Sequence, residues 1–260
     1  MKYAYKIFAS IFAVSAITVS SCKKDDTHTD DHNHTATTGS VEIMIDNRVK
    51  SEDLVLDTKW YTNHLGDSFQ ISKFNYYVTN IKLTGGSNYS EPESYHLVEE
   101  SKGSSQMFTI SNVPNGTYSG ISFMIGVDSL RNVSGAQTGA LDPANGMFWS
   151  WNTGYIQLKM EGKAPKSTAT DKALKFHIGG FSGSSNTIRT VTLTFPQPIT
   201  INGSSYHVHM EANAAKMFGM PSPIDFSAIN TVHMPGANAV KIADNYAGMF
   251  SVKEVSEHSH

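Results

Sequence analysis

Two short runs in this 260-residue chain set imidazole side chains along extended backbone. In Tyr206-His207-Val208-His209-Met210-Glu211 apolar and polar residues alternate, so His207, His209 and Glu211 share one strand face at steps of roughly 7 Å. A His-x-His on a strand is a bidentate nitrogen clamp. Neutral imidazole suits copper and zinc, with Cu(II) bound ahead of Zn(II) at a nitrogen site. The plainer reading is two exposed strand histidines. In Leu174-Lys175-Phe176-His177-Ile178 the apolar residues take the even positions, which sets His177 on the opposite face, just before Gly179-Gly180. His64, His96 and His233 stand alone in sequence and read as surface or hydrogen-bonded core histidines. Met217, Met220, Met234 and Met249 carry thioethers soft enough for Cu(I). They form no Met-x-Met cluster, so gap-filling in a core explains them better.

A second feature is the segment GMFWSWNTGY, from Gly146 to Tyr155, which holds two of the three tryptophans. In extended form it points Trp149 and Trp151 to one face and Phe148 and Ser150 to the other. Ordinary core packing also accounts for such a pair, since Trp buries much area and favours strands. No Ser/His/Asp order, paired-carboxylate motif or phosphate loop marks an enzyme, and none is expected. The net charge of -3, without a clustered basic face, gives no footing for nucleic acid.

Strands must position these groups. Val41, Ile43 and Ile45 alternate with Glu42, Met44 and Asp46. The run from Gln70 to Leu83 predicts Tyr77, Ile81 and Leu83 on one face and Phe74, Tyr76 and Val78 on the other. Further strand runs are Tyr95 to Val98, Met107 to Ile110, Ile121 to Ile125, Ile156 to Met160, Leu174 to Ile178, Val191 to Phe195 and Tyr206 to Met210, each bounded by Gly, Pro, Asn or Ser. About 220 residues remain beyond the N-terminal segments, which suits one all-β domain. The expected fold is an antiparallel two-sheet β-sandwich of the Ig-like, Greek-key type, with a closed barrel as the alternative. Short helical pieces are expected at Ala212 to Phe218 and Asn238 to Phe250, and a long loop from Gly126 to Gly146.

The N-terminus carries an address. Lys2 and Lys6 precede an apolar run from Ile7 to Val19 that ends in Val19-Ser20-Ser21-Cys22, which looks like a lipobox. The run is shorter than the roughly 20 residues of a spanning helix and leads into polar sequence. Residues 1–22 therefore read as a lipoprotein signal with Cys22 as the acylated residue. Removing residues 1–21 takes away Lys2 and Lys6 and no acid, moving the net charge from -3 to -5. Cys22 is the sole cysteine, so the folded part has neither a disulfide nor a thiolate ligand. Lys23-Lys24-Asp25-Asp26 is similar to the Lys-acid-acid tag of surface-exported Bacteroidetes-type lipoproteins, which predicts an outer-membrane location. Residues 23–40 lack large apolar side chains up to Ser40 and read as a disordered tether. The tether holds His28, His32 and His34, and the other end holds His258 and His260; either set could capture a divalent ion loosely.

Taken together, Tyr76-Tyr77-Val78-Thr79-Asn80-Ile81, Ile125-Gly126-Val127, MFWSWNTGY, Phe176-His177-Ile178-Gly179, Asp244-Asn245 and Met249-Phe250 resemble the MbnP-like copper-binding family over about residues 40–252. The Trp-x-Trp followed by Gly-Tyr is the most specific element. Relatives of this family are exported β-sandwich proteins that bind copper, and in some a tryptophan is oxidised to kynurenine by a di-haem partner of the MbnH type. The resemblance implies an MbnP-like domain over 41–252 with a flexible tail at 253–260, a copper ion as cofactor, kynurenine formed from Trp149 or Trp151, His177 as a ligand, and an MbnH-like di-haem peroxidase-type partner. His207 and His209 come from alternation alone. Kynurenine carries an aryl amine and a ketone where indole has only an N–H. One departure stands out: relatives from methane oxidisers often place cysteines after the His-containing strand, where this chain has Gly179-Gly180-Phe181-Ser182-Gly183.

Two functions of different classes follow. The first is a non-catalytic, lipid-anchored copper-binding protein for acquisition, storage or delivery. The alternative is a metal-free surface adhesion or glycan-binding module that uses the aromatic residues as a platform.

Overall fold

Residues 37–135, 137–149 and 154–258 are described by a computed structural model. Cys22 with the expected signal, the tether histidines, Trp151 and His260 lie outside them. In chain order the strands are β1 (Thr38–Val49), β2 (Glu52–Asp53), β3 (Trp60–Thr62), β4 (Ser68–Gly85), β5 (Tyr89–Ser90), β6 (Tyr95–Glu99), β7 (Met107–Pro114), β8 (Gly116–Ile125), β9 (Phe148–Trp149), β10 (Gly154–Lys163), β11 (Ala173–Gly179), β12 (Arg189–Ile201), β13 (Ser205–Asn213), β14 (Thr231–Val232) and β15 (Phe250–Glu257). Two helices join them, α1 (Ser129–Val133) and α2 (Ala237–Tyr246). Sheet A runs β15-β13-β1-β2, with β7 also on β1. Sheet B runs β12-β8-β4-β10-β11-β14, with β3, β5 and β6 against β4 and β9 against β10.

Period-two patterning decides which face each sheet buries. Val41, Ile43 and Ile45 of β1 and Val208, Met210 and Ala212 of β13 are fully buried, and they share one core with Phe74, Tyr76, Val78 and Phe176 of sheet B. Phe250 of β15 crosses the gap between the sheets, edge-on to Tyr76 and Phe123 with ring centroids 5.6 and 4.9 Å away. The buried Tyr76 hydroxyl donates to Asn47 Oδ1 at 2.8 Å, so that polar group keeps a partner inside the core. The result is an all-β sandwich rather than a barrel.

The pairing is not purely antiparallel, as the sequence reading expected. β1 runs parallel to β13, with Glu42 beside His207 and Met44 beside His209, and β11 runs parallel to β14. Alternation reports which face a side chain takes and carries no information on strand direction. The face assignment along β4 also changes: Ile81 and Leu83 join Phe74, Tyr76 and Val78 in the main core, while Tyr77 belongs to a separate small cluster. Asn80 is the cause. It adopts a left-handed φ of 53°, the ladder to β8 shifts between Thr79 and Lys82, and the phase of the strand reverses across this bulge. At the ends, β1 begins at Thr38 rather than Val41, and the expected flexible tail at 253–260 is strand as far as Glu257. The expected loop over 126–146 contains α1 and two single-turn 3-10 helices.

Candidate metal centre

β10 and β11 form an antiparallel pair on sheet B that places Lys159 opposite His177 and Glu161 opposite Lys175. His177 Nε2 lies 2.6 Å from Glu161 Oε1, a diagonal contact across the outer face of the pair. A carboxylate acceptor there fixes the tautomer with the proton on Nε2 and leaves the Nδ1 lone pair for another partner. Burial lowers the His177 pKa below its ordinary value, outweighing the raising effect of the Glu161 hydrogen bond, and Lys159 adds to the lowering. The ring is thus held in the neutral form that a metal requires. Burial alone would raise Glu161, but its hydrogen bond to His177 and the nearby Lys73 and Lys159 together take it below the usual carboxylate value.

The parallel strand β14 completes the arrangement. It sets Thr231 beside Lys175 and Val232 beside Phe176. β14 ends there, and His233 is the next residue along the chain, as His177 is the next after Phe176 in β11. His177, His233, Lys175, Thr231 and Trp149 line one cleft of about 300 Å³. Sequence reading set His233 aside because nothing near it repeats. The available signal was the Thr-Val-His triplet at 231–233, whose alternation matches Lys-Phe-His at 175–177.

Trp149 reaches this cleft because Gly179 has no side chain. A Cβ at Gly179 would stand 2.5 Å from Cη2 and Cζ3 of the indole. The Phe-His-Ile-Gly run therefore combines a ligand candidate and the space for the tryptophan beside it. The segment before Trp149 folds back over the outer face of sheet B and packs Val127, Leu141 and Met147 against Tyr77, Tyr155 and Ile156. Its turns are held by Asn132, whose Nδ2 donates to the carbonyls of Val127 and Asp128 at 2.6 and 2.9 Å and whose Oδ1 accepts from the Tyr155 N–H at 2.8 Å. Tyr155 donates through its hydroxyl to the Leu141 carbonyl at 2.7 Å. Gln157 Oε1 accepts from the Val127 N–H at 2.7 Å. Gln157 Nε2 is the one buried side-chain nitrogen or oxygen among the described residues with no hydrogen-bond partner.

His177, implied by the resemblance, and His207 and His209, read from alternation, lie on different sheets. His207 and His209 do share a face, but on sheet A, and each faces an acid of β1: His207 Nδ1 lies 2.8 Å from Glu42, and His209 Nε2 lies 2.8 Å from Asp46. Glu211, third in that row, meets Arg48 at 3.6 Å and Lys253 at 3.5 Å. Among the described residues, no three His, Cys, Asp or Glu side chains converge as a metal-binding group. The expected shared face of Trp149 and Trp151 involves Trp151, which lies outside the described residues. Of the histidines that stand alone in sequence, His96 bonds Glu91 at 2.9 Å and stacks on Phe108 at 3.8 Å, while His64 is exposed.

No curated protein matches the chain. Among solved structures it is similar to MbnP from Methylosinus trichosporium, with 13% sequence identity, 86% of this chain and 100% of that chain covered, and a TM-score of 0.52; at that identity the likeness is one of fold. The MbnP family model matches residues 38–235, an interval that holds Trp149, His177 and His233 and ends just beyond the cleft. On that match the chain belongs to the MbnP family.

Proposed function

We propose that this MbnP family member is an exported, non-catalytic copper-binding protein for copper acquisition, storage or delivery, anchored through Cys22 to the outer membrane. Copper would be held by His177 and His233 at the Trp149 cleft. One observation supports this above the rest: two imidazoles far apart in sequence, one on β11 and one just after β14, line the same cleft of about 300 Å³ as a buried indole. The donor chemistry fits, since the Glu161 carboxylate behind His177 is the outer partner that orients a ligating imidazole and raises its basicity. Copper at such a site supplies a borderline-soft cation that nitrogen donors bind strongly. Two nitrogens leave positions to fill. Conversion of Trp149 or Trp151 to kynurenine by an MbnH-like di-haem peroxidase-type partner would add an aryl amine and a ketone there. In that conversion the indole gains two oxygens from the partner's peroxide-class oxidant, and hydrolysis releases one carbon as formate. The adhesion alternative draws no support from Trp149, which is 6% exposed and cannot act as a stacking platform.

The test is copper stoichiometry of protein purified from its native host, in the full chain with His28, His32 and His34 replaced by Ala. Combining His177→Ala with His233→Ala is expected to remove about one copper per chain, the loss of a two-imidazole site. Unchanged copper would place the site elsewhere. Mass spectrometry of the peptide from Met147 to Lys159 reads the modification directly; an unmodified peptide in copper-loaded native protein would leave histidines as the only ligands.

A further inference from the structure

We infer a second site for a late first-row transition cation at the opposite sheet, formed by His207 and His258 with Glu42 behind the ring. His207 Nε2 and His258 Nδ1 face each other at 2.5 Å, with ring centroids 4.7 Å apart and planes tilted by 51°. On the far side of the same ring, His207 Nδ1 meets Glu42 Oε1 at 2.8 Å. With a carboxylate accepting the Nδ1 proton, Nε2 presents a lone pair toward His258. The two imidazole nitrogens face one another across a hydrogen bond, and a cation that takes the place of its proton would bind both. Cis nitrogens on square-planar Cu(II), each about 2.0 Å from the metal, lie about 2.8 Å apart. A small rotation of either tilted ring reaches that spacing. Glu42 stands behind His207 rather than on the metal, which makes this a two-nitrogen clamp whose remaining positions are left to water. Among nitrogen-binding divalent ions Cu(II) ranks first.

The fold holds both rings in place. Glu42 and His207 are lateral neighbours in the β1 and β13 ladder. Tyr206 pairs with Glu257 on the other side of β13, and the His258 backbone N–H donates to the Ser205 carbonyl at 2.8 Å. Ser40 and Ser205 close the end of the ladder with a hydroxyl contact of 2.8 Å. The first and last described strands thus both flank the start of β13, leaving a cleft of about 240 Å³ lined by Ser40, Glu42, Tyr206, His207 and His258. His258 lies beyond residue 235, where the family match ends, so half of the clamp comes from outside the matched region. The site shares no residue with the Trp149 cleft.

Cu(II) alone is the probe, titrated into the full chain carrying His28→Ala, His32→Ala, His34→Ala and His260→Ala and followed by calorimetry and electron paramagnetic resonance. His207→Ala and His258→Ala are each expected to remove the same single equivalent and its nitrogen hyperfine signature. His258 follows the last strand, so its replacement leaves the core intact. Glu42→Gln keeps the stoichiometry and weakens binding about 10-fold or more, the usual effect of losing a carboxylate behind a ligating histidine. Adding His177→Ala and His233→Ala leaves this equivalent in place. Stoichiometry and affinity unchanged in both His207→Ala and His258→Ala would overturn the inference. Copper lost only with His177 and His233 would overturn it too, while supporting the Trp149 site.

Discussion

Gly179→Ala is the sharpest test of how the Trp149 cleft is built. The new Cβ would stand 2.5 Å from Trp149 Cη2 and Cζ3 and 2.9 Å from the Tyr155 carbonyl oxygen. Carbon atoms settle at about 3.5–4.0 Å, so the indole has to retreat by about 1 Å or more. The carbonyl belongs to β10, whose Ile156 pairs with Gly179, and cannot yield without opening that ladder. Overpacking absorbed by side-chain movement costs about 1–3 kcal/mol. Expelling the indole outright would forfeit burial of about 150–250 Å², an upper limit of about 4–6 kcal/mol at 25 cal/mol per Å². Retreat in place is the cheaper response, and with backbone closing one side the loss should fall near the top of the overpacking range, about 2–3 kcal/mol. Urea unfolding followed by tryptophan fluorescence measures it. Gly103→Ala is the control: nothing lies within 4 Å of its added methyl, and its midpoint should match the parent. Copper binding should weaken in Gly179→Ala alone, because the displaced ring moves within the cleft that His177 lines. A Gly179→Ala protein as stable and as copper-replete as Gly103→Ala would refute the packing of Trp149 on Gly179.

Two further expectations follow from the same region. His177 has a folded pKa below its ordinary 6.5, so below that pH the unfolded chain binds a proton that the folded ring resists; its contribution is full above about pH 6.5 and falls as the pH drops toward the lower folded value. Glu161, also lowered from 4.5, acts in the same direction at lower pH. Denaturation midpoints should therefore fall between about pH 7.5 and 5.5, and His177→Gln should flatten the decline; an identical slope in the variant would remove His177 as its source. Asn132→Ala strips buried partners from the Tyr155 N–H and the Val127 carbonyl, with an expected loss of about 3 kcal/mol from groups left unpaired at about 1–3 kcal/mol each. Hydrogen exchange at the Tyr155 amide should quicken; unchanged protection would show that Asn132 does not hold the segment.

Local alternation determined much of this protein from sequence alone. The inward faces of β1 and β13 and the outward placing of His177, His207 and His209 were all legible, because a period of two is a property of the chain itself. So was the all-β class, since no amphipathic helix separates successive strand runs. The family resemblance likewise rested on residues visible in sequence.

What pairs with what required the tertiary structure. A two-residue strand carries too little pattern to announce itself, yet β14 docks on β11 and leads into His233, which lines the same cleft as His177. The bulge at Asn80 reverses the face of everything after it in β4, and only the ladder to β8 reveals the shift. Gly179 reads in sequence as a strand end, while in the fold it is the space that Trp149 occupies. His207 and His258 meet because β15 returns along β13. Register is a relation between distant segments, set by the sum of packing on both sheets, so the sequence of either segment alone specifies which face it buries but not its neighbour.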